Sequence, residues 1–377
     1  LIDKNFWSNF EKNTNLKFLL RILLFPFAIL YDGITRLRNK AYDSQKLRSI
    51  SFESTLITVG NLTVGGTGKT PHVEYLIRLV QNKFKTATLS RGYGRKTKGV
   101  IIADKTATAQ KIADEPMQFY LKYGNRITVA VGESRLLAIP EIVFHQPDNE
   151  VILLDDAFQH RAVLSDFQIL LSDFHRPFYQ DFVLPAGRLR ESRSGAKRAD
   201  MIIVSKCPEN LEIKQKKEIQ KHIEKYCRPN TPIFFTGIRY LTPVSFSENF
   251  QKISSKIILL TGIAQTKSLE EKLSENFEII EHLRFPDHAD YTPKRLKIIR
   301  QTFEKLSYKH ADLCILTTEK DFVKLKTPDL KEFWESFPFF YLPIEIYFLD
   351  NSNEFNKLIL NVILEKINLK KNEKNSN

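Results

Sequence analysis

The stretch Gly60-Asn61-Leu62-Thr63-Val64-Gly65-Gly66-Thr67-Gly68-Lys69-Thr70-Pro71 carries the most specific chemistry in the chain. Its glycines let consecutive backbone N–H groups converge on an anion. Lys69 can reach the outer phosphates of a nucleotide, and Thr70 can offer its hydroxyl to magnesium. The expected nucleotide-binding residues are therefore Thr63, Val64, Gly65, Gly66, Thr67, Gly68, Lys69 and Thr70. Thr63 stands where the usual P-loop has glycine, while the Gly-Gly-Thr-Gly-Lys-Thr core is intact. A bland glycine turn is the competing reading. The flanks argue against it: the β-branched run Thr55–Val59 reads as a strand entering the loop, and His72–Val80 as an amphipathic helix leaving it.

A P-loop needs acid at the end of a neighbouring strand to hold or orient the metal. The apolar run Val151–Leu154 ends in Asp155 and Asp156, which with Thr70 are the expected magnesium ligands. Ser90–Lys96, with Arg91, Tyr93 and Arg95 among glycines, suits a phosphate or a sugar, against the alternative of a solvated basic turn. The arginine-rich stretch Pro185–Arg198, with Arg190 and Glu191, could receive a transferring phosphate or an anionic substrate. Asp114-Glu115-Pro116 opens a helical pattern, and locally Asp114 reads as its N-cap. His288, in Phe285–Tyr291, has the side chain best suited to proton transfer near neutral pH, although a lone loop histidine is more often structural.

These residues need a scaffold, and the chain alternates strand and helix patterns as α/β proteins do. Thr55–Val59, Thr86–Ser90, Val100–Ala103, Ile127–Val131, Val151–Leu154, Phe167–Leu171 and Met201–Ser205 read as strands of a parallel sheet. A turn-rich break near Arg228–Pro232 precedes a second α/β series: Ile233–Thr236, Ile257–Thr261, Phe277–Ile280, Leu313–Thr317 and Phe339–Leu342. The expected organisation is a P-loop domain over 49–230, a smaller α/β domain over 231–369 and a disordered tail over 370–377. Three scattered cysteines read as reduced, buried thiols. The net charge of +13 over 377 residues asks for an anionic partner, yet no zinc-finger or RNA-binding signature accompanies it, so nucleic acid is not expected.

The N-terminal segment points to a different partner. Leu16–Tyr31 is almost wholly apolar, but Lys17, Arg21 and Pro26 interrupt it, and as a helix it is too short to cross a bilayer. Arg36, Arg38, Lys40, Lys46 and Arg48 follow. An amphipathic helix with a cationic flank, here residues 1–48, suits the surface of an anionic membrane, against the alternative of an ordinary core helix.

Taken together and in order, Gly60–Pro71, Ser90–Arg95, Asp114–Pro116, Leu154–His160, Pro185–Glu191, Phe285–His288 and Thr317–Asp321 resemble the tetraacyldisaccharide 4'-kinases, the lipid A 4'-kinase family. The resemblance covers roughly Leu16 to Leu349. It implies an ATP- and magnesium-dependent enzyme at the cytoplasmic face of a bacterial inner membrane. Such an enzyme phosphorylates the 4'-hydroxyl of an acylated glucosamine disaccharide 1-phosphate, with no obligatory protein partner. It further implies that Asp114 and His288 act as a catalytic pair, and that Arg91, Tyr93, Gln159, His160, Arg190 and Glu191 contact phosphate or substrate. The sequence departs from the family pattern at Ala157, Ser192 and Ala289, where Gly, Pro and His are common. The alternative readings are a membrane-associated P-loop ATPase, a GTPase switch, and an adaptor with a degenerate nucleotide site. Val64 lacks the signature lysine of the membrane switches, and Pro208 replaces the aspartate with which a GTPase would read guanine after Ser205-Lys206.

Overall fold

The computed structural model describes residues 14–263, 266–287 and 289–375. In chain order the strands are β1 (Thr55–Asn61), β2 (Thr86–Ser90), β3 (Ile101–Ile102), β4 (Thr128–Val131), β5 (Val151–Asp155), β6 (Phe167–Asp173) and β7 (Met201–Ser205), then β8 (Ile233–Tyr240), β9 (Val244–Ser245), β10 (Lys256–Thr261), β11 (Glu278–Arg284), β12 (Cys314–Thr318), β13 (Phe339–Leu342) and β14 (Ile344–Phe348). The helices of seven residues or more are α1 (Thr14–Asp43), α2 (Lys69–Val80), α3 (Asp114–Tyr123), α4 (Arg135–His145), α5 (Ile213–Glu224), α6 (Lys267–Leu273), α7 (Pro293–Ser307), α8 (Glu319–Leu325) and α9 (Ser352–Asn375).

Two compact units share the chain. The first comprises 1–89, 135–238 and 346–377, and the second comprises 90–134 and 239–345. In the first, the strands run in the order β14-β8-β7-β6-β1-β5-β2. β1 lies between β5 and β6, parallel to both, and all seven of its residues are buried. That burial is why its sequence is apolar or β-branched on both faces rather than alternating. β5 and β7 are buried along their whole length for the same reason. Below the loop, Leu62, Phe158, Leu170, Phe178, Leu189, Ile202 and Phe235 belong to one core cluster. In the second unit the sheet order is β11-β10-β12-β13-β9, parallel except for β9, and β3 pairs antiparallel with β4. Phe246, Ile258, Ile315, Trp334 and Phe339 anchor its core.

Three expectations change. The break near 230 does not divide the units, because β8 pairs in parallel with β7 and continues the first sheet. Residues 90–134, expected in the P-loop domain, cluster instead with 239–345. Lys370–Asn375, expected to be disordered, continue α9. That helix begins on a solid anchor, with Phe355, Ile359 and Ile363 buried and Tyr75 donating to the Asn356 amide oxygen at 3.0 Å, so it has a packed stem from which to extend.

α1 is longer than the apolar run that suggested it and carries Arg36, Arg38 and Lys40 within its last turns. Residues 1–13 lie outside the described part of the expected 1–48 segment. On α1, Ile22, Leu23, Phe25, Phe27, Ile29, Leu30, Ile34 and Leu37 are exposed. Among the described residues no helix is long and apolar enough to cross a membrane.

Candidate active site

The glycine loop leaves β1 at its carboxyl end, where α/β sheets bind ligands. Two glycines there are required by geometry. A Cβ on Gly60 would lie 2.6 Å from the Phe158 Cβ, so only glycine lets the strand pass. Gly68 takes φ 80°, ψ 25° directly before α2, a left-handed conformation costly for other residues. Pro71 sits in the first turn of α2, where its missing N–H breaks no helical bond. The loop entrance is stitched to the arginine-rich segment: Val64 N–H donates to the Arg188 carbonyl at 2.8 Å, and Arg190 N–H to the Leu62 carbonyl at 2.7 Å.

That stitching brings the charged groups together. Lys69 Nζ lies 3.6 Å from Asp156 Oδ1, and Arg190 grips the same carboxylate with two bonds, 2.9 Å to Oδ1 and 3.1 Å to Oδ2. Burial alone would raise the Asp156 carboxyl, but the Lys69 ammonium and the Arg190 guanidinium outweigh it and hold the group below the ordinary carboxylate range. Asp156 itself sits at φ 49°, turning its side chain away from the line of β5. Asp155 is buried beside it, and the fully buried Arg135 donates to its carbonyl at 3.1 Å.

A second layer orients Arg190. Gln159 Nε2 donates to the Asn61 carbonyl at 2.9 Å and to Glu191 Oε1 at 3.0 Å. The buried Glu191 also accepts from Arg198 at 2.7 Å and, through Oε2, from Asn39 of α1 at 2.7 Å. Tyr31 of α1 donates to the Arg190 carbonyl at 3.1 Å, and Arg36 to Ser192 Oγ at 2.9 Å. The structure therefore unites Lys69, Asp156, Gln159, Arg190 and Glu191 in the first unit. It adds Asn39, which sequence reading missed because its partner Glu191 lies far along the chain, and it gives Asn61 and Arg198, both inside the stretches singled out above, partners in Gln159 and Glu191. Thr70 and His160 are half-buried on the same unit.

The remaining candidates belong to the second unit. Arg91 and Tyr93 are exposed, Tyr93 by 78%, in a loop shaped by Gly92, Gly94 and Gly99, all at positive φ. Asp114 is not an N-cap. Ala113 holds that position at φ 76° without a side-chain bond, and Asp114 is the first residue of α3. Its carboxylate lies 3.0 Å from Lys324 Nζ of α8, both side chains being largely buried. Lys122 and Glu319, 2.6 Å apart, make a second ion pair between the same two helices. The Thr317–Asp321 stretch thus begins the helix that holds Asp114. Thr318 accepts from the Asp321 N–H at 3.2 Å, and Asp321 Oδ2 accepts from the Gly262 N–H at 2.9 Å. His288 lies outside the described residues.

The arrangement sets a glycine loop, a helix N-terminus and a loop lysine beside an arginine-held carboxylate. Comparison with known proteins identifies the family. The family model described as tetraacyldisaccharide-1-P 4'-kinase matches residues 20–364. The chain belongs to that family. A tetraacyldisaccharide 4'-kinase of Flavobacterium psychrophilum is 45% identical, covering 91% of this chain and 97% of its own. That of Flavobacterium johnsoniae is 44% identical, covering 93% and 99%. The crystal structure of an "apo" form LpxK from Aquifex aeolicus in complex with ATP superposes with a TM-score of 0.70 at 27% identity, covering 91% of this chain and 99% of that one. As a member of this family the chain is a kinase of lipid A biosynthesis.

The three cysteines are free and buried, as expected. Burial pushes the Cys207 thiol up to about 12, so it has no thiolate chemistry near neutral pH.

Proposed function

We propose that the chain transfers the γ-phosphoryl group of ATP to the 4'-hydroxyl of an acylated glucosamine disaccharide 1-phosphate, working at the cytoplasmic face of the inner membrane. The observation that carries this reading is the Lys69–Asp156–Arg190 cluster beside the glycine loop, on a chain of this family. Phosphoryl transfer demands mostly positioning and charge neutralisation. Residues Thr63–Thr70 receive the phosphates, Lys69 and Arg190 are the cations for the charge on the group in flight, and Gln159 and Glu191 keep Arg190 in place.

Thr70, Asp155 and Asp156 would hold magnesium. Among the described residues no group of three or more His, Cys, Asp or Glu could hold a metal alone. Two carboxylates and a hydroxyl suit an ion that takes its other ligands from water and substrate phosphate. When bound, magnesium supplies charge neutralisation for the phosphates. Asp114 with His288 accepts the proton of the sugar hydroxyl, a poor nucleophile without a base in reach. Arg91, Tyr93 and His160 are the further substrate contacts.

The exposed apolar residues of α1, followed by its arginines, support a membrane-surface role with the acylated substrate as neighbour. No observation favours a switch or an adaptor. The deciding experiment supplies labelled ATP and the disaccharide lipid in detergent micelles. Label on the lipid supports the proposal, whereas label only in free phosphate, or no turnover, overturns it.

A further inference from the structure

Three successive carbonyls of the glycine loop are each held by a side chain. Lys206 Nζ donates to the Gly66 carbonyl at 2.5 Å. Ser205 Oγ donates to the Thr67 carbonyl at 2.8 Å. His72 Nδ1 lies 2.6 Å from the Gly68 carbonyl. A carbonyl only accepts, so His72 Nδ1 carries the hydrogen, and Nε2, 3.0 Å from Thr236 Oγ1, accepts from that hydroxyl. Burial holds His72 neutral, with its value lowered to about 4, which preserves this tautomer.

Each holder is itself anchored. Lys206 Nζ also donates to Asp173 Oδ2 at 2.7 Å, at the end of β6. Lys206 adopts φ 59°, which swings its side chain off the line of β7. Ser205 is fully buried at the end of β7, with its one hydroxyl hydrogen given to the Thr67 carbonyl.

In a planar trans peptide the C=O and the following N–H point in opposite directions. Fixing the carbonyls of Gly66, Thr67 and Gly68 therefore fixes the N–H groups of Thr67, Gly68 and Lys69. Those three donors lie in the stretch where a P-loop meets phosphate. Ser205-Lys206 occupies the place after a strand from which a GTPase would read a base. Here the two side chains turn to the loop instead, and Pro208 stands where the base-reading aspartate would be.

We propose that Lys206, with Ser205 and His72, is a positioning residue that pre-orients three N–H donors of the glycine loop for the phosphates of ATP. The proposal rests on the reading of Gly65–Thr70 as the nucleotide site. Pre-orientation lowers the cost of ordering the loop on binding, so its loss appears in nucleotide affinity. Lys206→Met should weaken ATP binding, measured by calorimetry, by about tenfold, the scale of one charge-assisted bond, and leave KM for the lipid within about twofold. Lys206→Arg should recover most of the affinity. Asp173→Asn, which keeps the ammonium but loosens it, should weaken ATP binding by a smaller factor and stands in should Lys206→Met fail to fold.

Lys69→Ala, run in parallel, separates the two readings. Wild-type ATP affinity in Lys69→Ala would remove the nucleotide site from this loop. If Lys69→Ala loses ATP while both Lys206→Met and Asp173→Asn bind it as wild type does, the positioning role is overturned. Equal losses in ATP affinity and lipid KM, tracking a fall in melting temperature and not recovered by arginine, would also overturn it, because a purely structural role predicts that pattern.

Discussion

Single side chains set the chemistry, and their charges make it testable. Removing the ammonium in Lys69→Ala should cost about 10³-fold or more in turnover, roughly 4 kcal/mol of transition-state stabilisation. A folded variant with near-normal turnover in the labelled-ATP assay would contradict that role. His72 gives a prediction in pH. Its value falls from 6.5 in the unfolded chain to about 4 in the fold, so the unfolded state binds the extra proton. Stability is therefore complete above pH 6.5 and is lost as pH falls towards 4, by up to roughly 3 kcal/mol. Melting temperatures between pH 7 and 4.5 should drop more steeply for the wild type than for His72→Gln. Parallel curves would show that other groups dominate the acid limb. The cluster around Asp156 was legible in the sequence because a glycine loop, a strand-end acid and an arginine run are short motifs with fixed meanings. The local reading of Asp114 as a cap failed because the captor of its carboxylate, Lys324, lies on a helix that no local pattern links to α3.

At the scale of elements, strand identity was readable because buried parallel strands leave continuous apolar runs, as in β1, β5 and β7. α1 was half legible. Its apolar part announced a helix, but its extent to Asp43 follows from the inner face. There Tyr31 and Asn39 bond the Arg190–Glu191 segment, and Arg161 reaches Asp43 at 2.6 Å. No local signal carries those contacts. The outer face yields the prediction. Leu23→Ser, Phe27→Ser and Leu30→Ser together should lower the binding constant for anionic vesicles by about 10³-fold or more and leave the protein in the supernatant of a co-sedimentation assay, since each exposed apolar side chain contributes roughly 1.5–3 kcal/mol when buried. Raised salt should weaken wild-type binding further by screening the arginines. Wild-type protein that stays in the supernatant at low salt would refute the surface role of α1.

Across the whole molecule, the Lys69–Asp156–Arg190 cluster, proposed above to receive phosphate, belongs to one compact unit and Asp114 to the other. Asp114→Ala should therefore lower turnover by about 10²–10⁴ while ATP affinity stays near wild type. His288→Ala should do the same, and the double variant should be little worse than the poorer single, as expected of residues that act as a unit. Multiplicative losses, or a fall in ATP affinity matching the loss in turnover, would sink the pairing. The division into units was the least legible property, because the sequence offers a turn near 230 but only pairing reveals that β8 stays with β7. That division has a consequence for synthesis. The first unit is built from three separated stretches, and the third supplies the edge strand β14 and α9, whose Lys366 reaches Asp166 at 2.8 Å and whose Phe355 packs on Tyr75 and Phe234. A ribosome delivers the nucleotide loop early and its closing strand and helix late. The nascent chain must then hold an open sheet, with the β8 edge uncovered, while residues 239–345 emerge and fold. Chains stalled before residue 346 should present that edge to chaperones, and damage to α9 should be felt first in the first unit.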